Sequence, residues 1–132
     1  MNAFLVELQN KTGELARITE AIAAKGVNLT GVSGSTCGTS GSVAILTADD
    51  ASTRQALKDA KFAFREVEAT ETPIGNVPGA LAKVARRLAD GGVNIEALLP
   101  TGMQGNEVTV AFVTSDPTKA RSILSHAGTT SR

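Results

Sequence analysis

The sequence predicts an α+β protein in which one β-α-β-β-α unit is used twice, and three observations carry that expectation. The run Asn10-Lys11-Thr12-Gly13-Glu14-Leu15-Ala16 returns as Asn76-Val77-Pro78-Gly79-Ala80-Leu81-Ala82, and Gly26-Val27-Asn28-Leu29 returns as Gly92-Val93-Asn94-Ile95. Both repeats share an offset of 66 residues, the mark of a tandem structural unit and not of two chance motifs. Apolar spacing also switches between period two and helical period in the same order in each half. The expected domains are residues 1–66 and 67–132, with a polar tail at 127–132.

In the first half, Phe4, Val6 and Leu8 alternate with Leu5, Glu7 and Gln9, which predicts a strand ending at Asn10. From Glu14 to Lys25, Leu15, Ile18 and Ile22 fall on one helical face, and Gly26 closes the helix. Val27 to Val32 reads as a second strand, the Gly/Ser/Thr-rich run Ser33 to Ser42 as a hairpin connection, and Val43 to Leu46 as a third strand. Asp49 or Asp50 can cap a helix carried by Ala56, Leu57 and Ala60. Phe62 to Val67 completes the half as a fourth strand.

The second half repeats this order. Thr70 to Ile74 is a strand that Pro73 restricts to an edge or to weak pairing. Leu81, Val84, Ala85 and Leu88 make a helical stripe ended by Gly91-Gly92, and Val93 to Leu98 begins a strand. Glu107 to Val113 has apolar residues on both faces, as a strand covered on both sides would. Asp116-Pro117 starts a last helix with Ala120, Ile123 and Leu124 on its apolar face. The order is the split βαβ, ferredoxin-like βαββαβ plan, an antiparallel sheet with helices on one face. The second unit lacks its last strand, so its sheet edge is exposed, shielded, or paired with another chain. A homodimer is expected on that ground.

Thirteen basic residues balance thirteen acidic ones, which leaves no electrostatic footprint for nucleic acid or an anionic membrane. The four aromatics are all Phe, so base stacking is unsupported as well. A single Cys37 cannot form an internal disulfide, no stretch approaches a membrane span, and the start lacks a signal-peptide pattern. The expectation is a cytoplasmic protein. No nucleophile–base pair or metal-ligand spacing stands out, so neither catalysis nor a cofactor is expected. His126 reads as a helix-end residue and Cys37 as a packing residue.

Asn76-x-Pro78-Gly79-x-Leu81 followed by Gly92-Val93-Asn94-Ile95 resembles the signature of ACT domains, the small regulatory modules that bind amino acids in aspartokinases and phosphoglycerate dehydrogenases. Asn10-x-Thr12-Gly13-x-Leu15 with Gly26-Val27-Asn28-Leu29 is similar, although Thr12 replaces the usual Pro. The resemblance covers nearly the whole chain. It implies a ferredoxin-like fold, an amino-acid ligand at domain interfaces, a role in regulating amino-acid metabolism through the protein itself or a partner enzyme, and no chemistry of its own. The implied ligand-binding residues are Asn10, Lys11, Thr12, Gly13, Glu14, Leu15, Asn28 and Leu29 in the first half. Those of the second are Asn76, Val77, Pro78, Gly79, Ala80, Leu81, Asn94 and Ile95.

The residue types suit a zwitterion. A helix N-terminus supplies N–H donors for a carboxylate, a glycine lets the ligand approach the backbone, and Asn adds a donor and an acceptor without net charge. In a β-α-β unit the loop holding Asn10 and the strand start holding Asn28 lie at opposite ends of the sheet. One unit therefore cannot close both on a small ligand. If two units pair antiparallel, Asn10 meets an Asn94-type residue and Asn76 an Asn28-type residue. The alternative reading is a dimerisation or scaffold protein whose ligand sites have lapsed, with Asn10 and Asn76 serving as ordinary turn residues.

Overall fold

The computed structural model describes residues 1–130, with side chains through 125. It is an α+β fold of six strands and four helices among the described residues. The chain divides into two units, Asn2–Val67, and Glu68–Arg132 with Met1.

The first unit contains β1 (Asn2–Gln9), α1 (Glu14–Ala23), β2 (Leu29–Cys37), β3 (Ser40–Thr47), α2 (Asp50–Asp59) and the beginning of β4 (Phe64–Gly75). Its strands lie in the order β2-β3-β1-β4. Strand β3 runs antiparallel to both β1 and β2, so those two are parallel to each other. Phe4 and Val6 face Ile18 and Ile22 of α1 and Ala56 and Leu57 of α2, with Val43, Ile45 and Phe62 in the same core. Asp49 caps α2 by accepting from the Ser52 N–H at 3.1 Å. Arg54 of α2 grips Glu66 of β4 through two hydrogen bonds of 2.6 and 2.7 Å, and Asn2 of β1 donates to the same carboxylate at 2.8 Å. These charge-assisted bonds, Arg54 foremost, hold the Glu66 carboxyl at a pKa of about 2.

The second unit contains the rest of β4, α3 (Ala80–Asp90), β5 (Ile95–Gln104), β6 (Glu107–Thr114) and α4 (Pro117–Thr130). Its strand order is β4-β6-β5, again antiparallel. Pro73 pairs with Thr109 on one side only, as the missing N–H requires. The core joins Val84 and Leu88 of α3, Ala120 and Leu124 of α4, and Ile74, Val110 and Phe112 of the sheet. Ala111 and Val113, on the opposite face of β6, are also fully buried, as the apolar pattern on both faces of that strand predicts.

Three sequence expectations need correction. The hairpin expected over Ser33 to Ser42 is present, but its turn is short: β2 extends to Cys37, β3 begins at Ser40, and only Gly38 and Thr39 turn the chain. Serine at alternate positions lets the run pair, with Ser33 opposite Ala44 and Ser35 opposite Ser42. The first member of each helical stripe also lies one residue earlier than expected, while Ile18, Ile22, Val84 and Leu88 are buried as predicted. Leu15 is 52% exposed and Leu81 42%, while Glu14 and Ala80 are buried in line with Ile18/Ile22 and Val84/Leu88. At 3.6 residues per turn both 14 and 15 fall on the face of 18 and 22, so spacing alone does not choose between them. Cys37 is exposed and so has no packing role. Helix α4 itself continues as far as Thr130. The expectation for His126 concerns a side chain outside those described.

Candidate functional site

Two loops, one in each unit, connect a strand to the helix behind it in the same way. Gly13 is the N-cap of α1 with φ 92° and ψ −5°, and Gly79 is the N-cap of α3 with φ 86° and ψ −7°. A Cβ at either position would meet nothing within 4 Å, so the demand for glycine comes from the left-handed backbone and not from crowding. Neither residue has a side chain that could cap its helix. Serine or aspartate there would occupy a first-turn donor; glycine leaves the first turn without a side-chain cap at the positive end of the helix dipole, although in α3 the Ala80 N–H donates to Val77 O at 3.3 Å.

Each loop is tied to the tip of the neighbouring hairpin. The Asn10 N–H donates to Thr39 O at 3.0 Å and the Asn76 N–H to Asn106 O at 2.9 Å. In the first unit the Asn10 Nδ2 also donates to Gly38 O at 2.8 Å. That bond orients the amide and leaves Oδ1 as the acceptor a ligand ammonium could use. These tethers come from Gly38, Thr39 and Asn106, which sequence reasoning did not single out. The turn composition marked the first hairpin without locating its tip.

The other half of the predicted set lies elsewhere. Gln9, at the end of β1, is opposite Ser40, while Leu29, at the start of β2, is opposite Thr47. These points are seven residues apart on β3, which is about 23 Å of strand. In the second unit Gly75 is opposite Glu107 and Ile95 opposite Thr114, again seven residues apart on β6. Within a unit, therefore, Asn10 and Asn28 are not brought together, nor are Asn76 and Asn94. Asn28 accepts from the Ala48 N–H through its backbone carbonyl, and Asn94 both accepts from the Ser115 N–H and donates its own N–H to Ser115 Oγ. Both asparagines are exposed.

Exposure divides the remaining residues. Lys11, Thr12, Leu15, Val77, Pro78 and Leu81 are exposed around their glycines. Ala80 is buried, and Leu29 and Ile95 pack partly against the two cores. Glu14 is also buried; its Oε1 accepts from the Gln9 N–H at 3.3 Å and its Oε2 from Arg17 Nε at 3.1 Å. Arg17 holds the Glu14 carboxyl below its ordinary pKa, so the side chain braces the first loop from beneath as an anion. Among the described residues, no group of three or more His, Cys, Asp or Glu is placed to hold a metal ion. No described helix is long and apolar enough to cross a membrane.

No family model matches the sequence, and no curated protein does. Solved structures do. The chain is similar to protein BT0572 of Bacteroides thetaiotaomicron, at 30% identity and a TM-score of 0.79, over 95% of this chain and 86% of that one. It also shares its fold with the ligand-free regulatory subunit of aspartate kinase from Thermus thermophilus, at 17% identity and a TM-score of 0.68, covering 98% of this chain and 90% of the other. The chain belongs to the ACT-domain family. A structure of aspartokinase alpha and beta subunits has the same ACT-type fold at 18% identity and a TM-score of 0.67, over 96% and 91% of the two chains.

Proposed function

We propose that this protein is a non-catalytic sensor that binds an amino acid and regulates amino-acid metabolism, through its own assembly or through a partner enzyme in the cytoplasm. Its two ACT units, residues 1–66 and 67–132, are of the ferredoxin-like βαββαβ kind, the second without its last strand. The observation that carries the reading is the pair of helix N-termini without side-chain caps headed by Gly13 and Gly79, each beside an asparagine whose backbone N–H is tied to a hairpin tip, with the Asn10 amide also held by Gly38. That arrangement offers N–H donors to a carboxylate and an amide oxygen to an ammonium. The similar structures of aspartate kinase regulatory subunits support a regulatory role.

Because a single unit sets its two asparagines at opposite ends of about 23 Å of strand, a ligand on the loop of one unit needs the strand start of another. Asn10, Lys11, Thr12, Gly13, Glu14 and Leu15 with Asn94 and Ile95 form one proposed set; Asn76, Val77, Pro78, Gly79, Ala80 and Leu81 with Asn28 and Leu29 form the other. Glu14, Ala80, Leu29 and Ile95 act from beneath as supports. The protein works as a homodimer, and binding regulates it to the extent that the ligand prefers one state of that assembly.

Calorimetric titration with the common amino acids, alongside light scattering at micromolar protein, tests this. Saturable heat from one or a few amino acids and a dimeric mass are expected. A dimer that binds none would favour the scaffold reading, which the Asn10–Gly38 bond also suits, since it gives Asn10 a structural task.

A further inference from the structure

The first unit carries an open groove of about 530 Å³ at the far end of its β2–β3 hairpin, lined by exposed and half-buried residues. Glu7, Ser35, Cys37, Ser40 and Ser42 line it. Strand alternation puts these residues on the sheet face opposite Val6, Val43 and the core. The registers place Glu7 opposite Ser42 and Ser42 opposite Ser35, so one carboxylate and two hydroxyls form a row across three strands. Neighbouring Cβ atoms in such a row are about 5 Å apart, a spacing that one small molecule can span. Among the described residues, nothing pairs with the Glu7 carboxylate or with the Ser35 and Ser42 hydroxyls.

Two features mark the row as more than a wet strand surface. Strands favour β-branched and aromatic residues, yet serine recurs at Ser33, Ser35, Ser40 and Ser42, a local rule broken four times in ten residues. The fold does not require it either. The corresponding row of the second unit is Pro73, Thr109 and Gly102, with no carboxylate and a single hydroxyl.

We propose that this groove is a binding site for a small organic cation, a primary ammonium compound with a second hydrogen-bonding group, whose ammonium rests on Glu7 and whose other end bonds Ser42 and Ser35. The chemistry of the lining sets the class. Its one carboxylate has no lysine or arginine beside it in the groove, so it attracts a cation and repels an anion, and the hydroxyls serve either as donors or as acceptors. The site is distinct from the two glycine loops, and its test does not depend on them.

Ethanolamine is the probe, with acetate as the anionic control, each titrated at neutral pH into the full chain while backbone amide NMR shifts are followed. Ethanolamine is expected to produce saturable shifts centred on Glu7, Ser35 and Ser42, and acetate to produce none there. Glu7→Gln should weaken the ethanolamine affinity by about tenfold or more, the scale of a lost hydrogen bond to a charged group. Ser42→Leu should abolish binding by filling the groove. Equal affinity in Glu7→Gln, comparable shifts from acetate, or no shifts at these residues with ethanolamine would each overturn the assignment.

Discussion

The loops after β1 and β4 share a backbone and little else. Gly13 and Gly79 occupy the same left-handed N-cap conformation, and Asn10 and Asn76 make the same backbone bond to a hairpin tip. Around that frame Lys11 stands where Val77 does, Thr12 where Pro78 does, and buried Glu14 where buried Ala80 does. The preserved part is the one that presents backbone donors; the part that varies is the side-chain chemistry around them. A module that recognises the common end of amino acids by backbone and selects among them by side chain needs this division. The same contrast appears beneath the loops, where the first unit braces its loop with an ion pair and the second with a methyl group.

The strongest way to break the comparison is to remove a core residue from one unit at a time. Phe4→Ala and Phe112→Ala each empty a fully buried site and should cost about 3–5 kcal/mol. Because the two cores are separate clusters, hydrogen exchange should rise mainly in residues 2–67 for the first variant and in 68–125 for the second. Uniform loss of protection from either variant would show that the units are not independent in this sense.

The glycines give a smaller effect. Gly13→Ala and Gly79→Ala should each lose about 1–2 kcal/mol in denaturant titration, since a Cβ is tolerated in space but not at φ near 90°. Equal losses would sharpen the claim that the two loops share one backbone requirement. A loss at only one position would break it.

Acidification separates the units by a different route. Four carboxylates of the first unit, Glu14, Asp49, Asp59 and Glu66, are held below their ordinary pKa values by hydrogen-bonding partners. Groups with a lowered folded pKa stabilise the fold above the unfolded value and lose that contribution as pH falls through the folded value. For Glu66 the window runs from its ordinary value of 4.5 down to about 2. Urea titrations across this range should show stability falling with pH, and Glu66→Gln should flatten the slope. An unchanged slope in that variant would remove the Arg54–Glu66 pair from the account.

Much of this was legible in the sequence because the repeat and the hydrophobic periods agree. Phe4, Val6, Ile18 and Ile22, and later Val84 and Leu88, carry a pattern that only burial on one face explains. Leu15 and Leu81 misled because a leucine at helical spacing looks like core, and nothing in local sequence shows that Glu14 can be buried once Gln9 and Arg17 satisfy its oxygens. The serine-rich strands were illegible for a related reason. Small polar residues have weak strand preference, and only pairing of β3 with β1 and with β2 makes Ser33 to Cys37 and Ser40 to Ser42 extended. At the candidate site, the motif spacing located Asn10, Gly13, Asn76 and Gly79, but the tethers to Thr39 and Asn106 depend on hairpin lengths that the motif does not encode.

The central claim is that a ligand on one unit's glycine loop is completed by the strand start of another unit, and a double-mutant cycle on amino-acid affinity tests it most directly. Asn10→Ala and Asn94→Ala should each weaken the same binding event by on the order of 1–3 kcal/mol, and the double variant should lose less than their sum. Asn76→Ala and Asn28→Ala should behave alike at the other set. Strict additivity between Asn10 and Asn94, together with strong coupling between Asn10 and Asn28, would contradict the account and show that each unit binds its ligand alone.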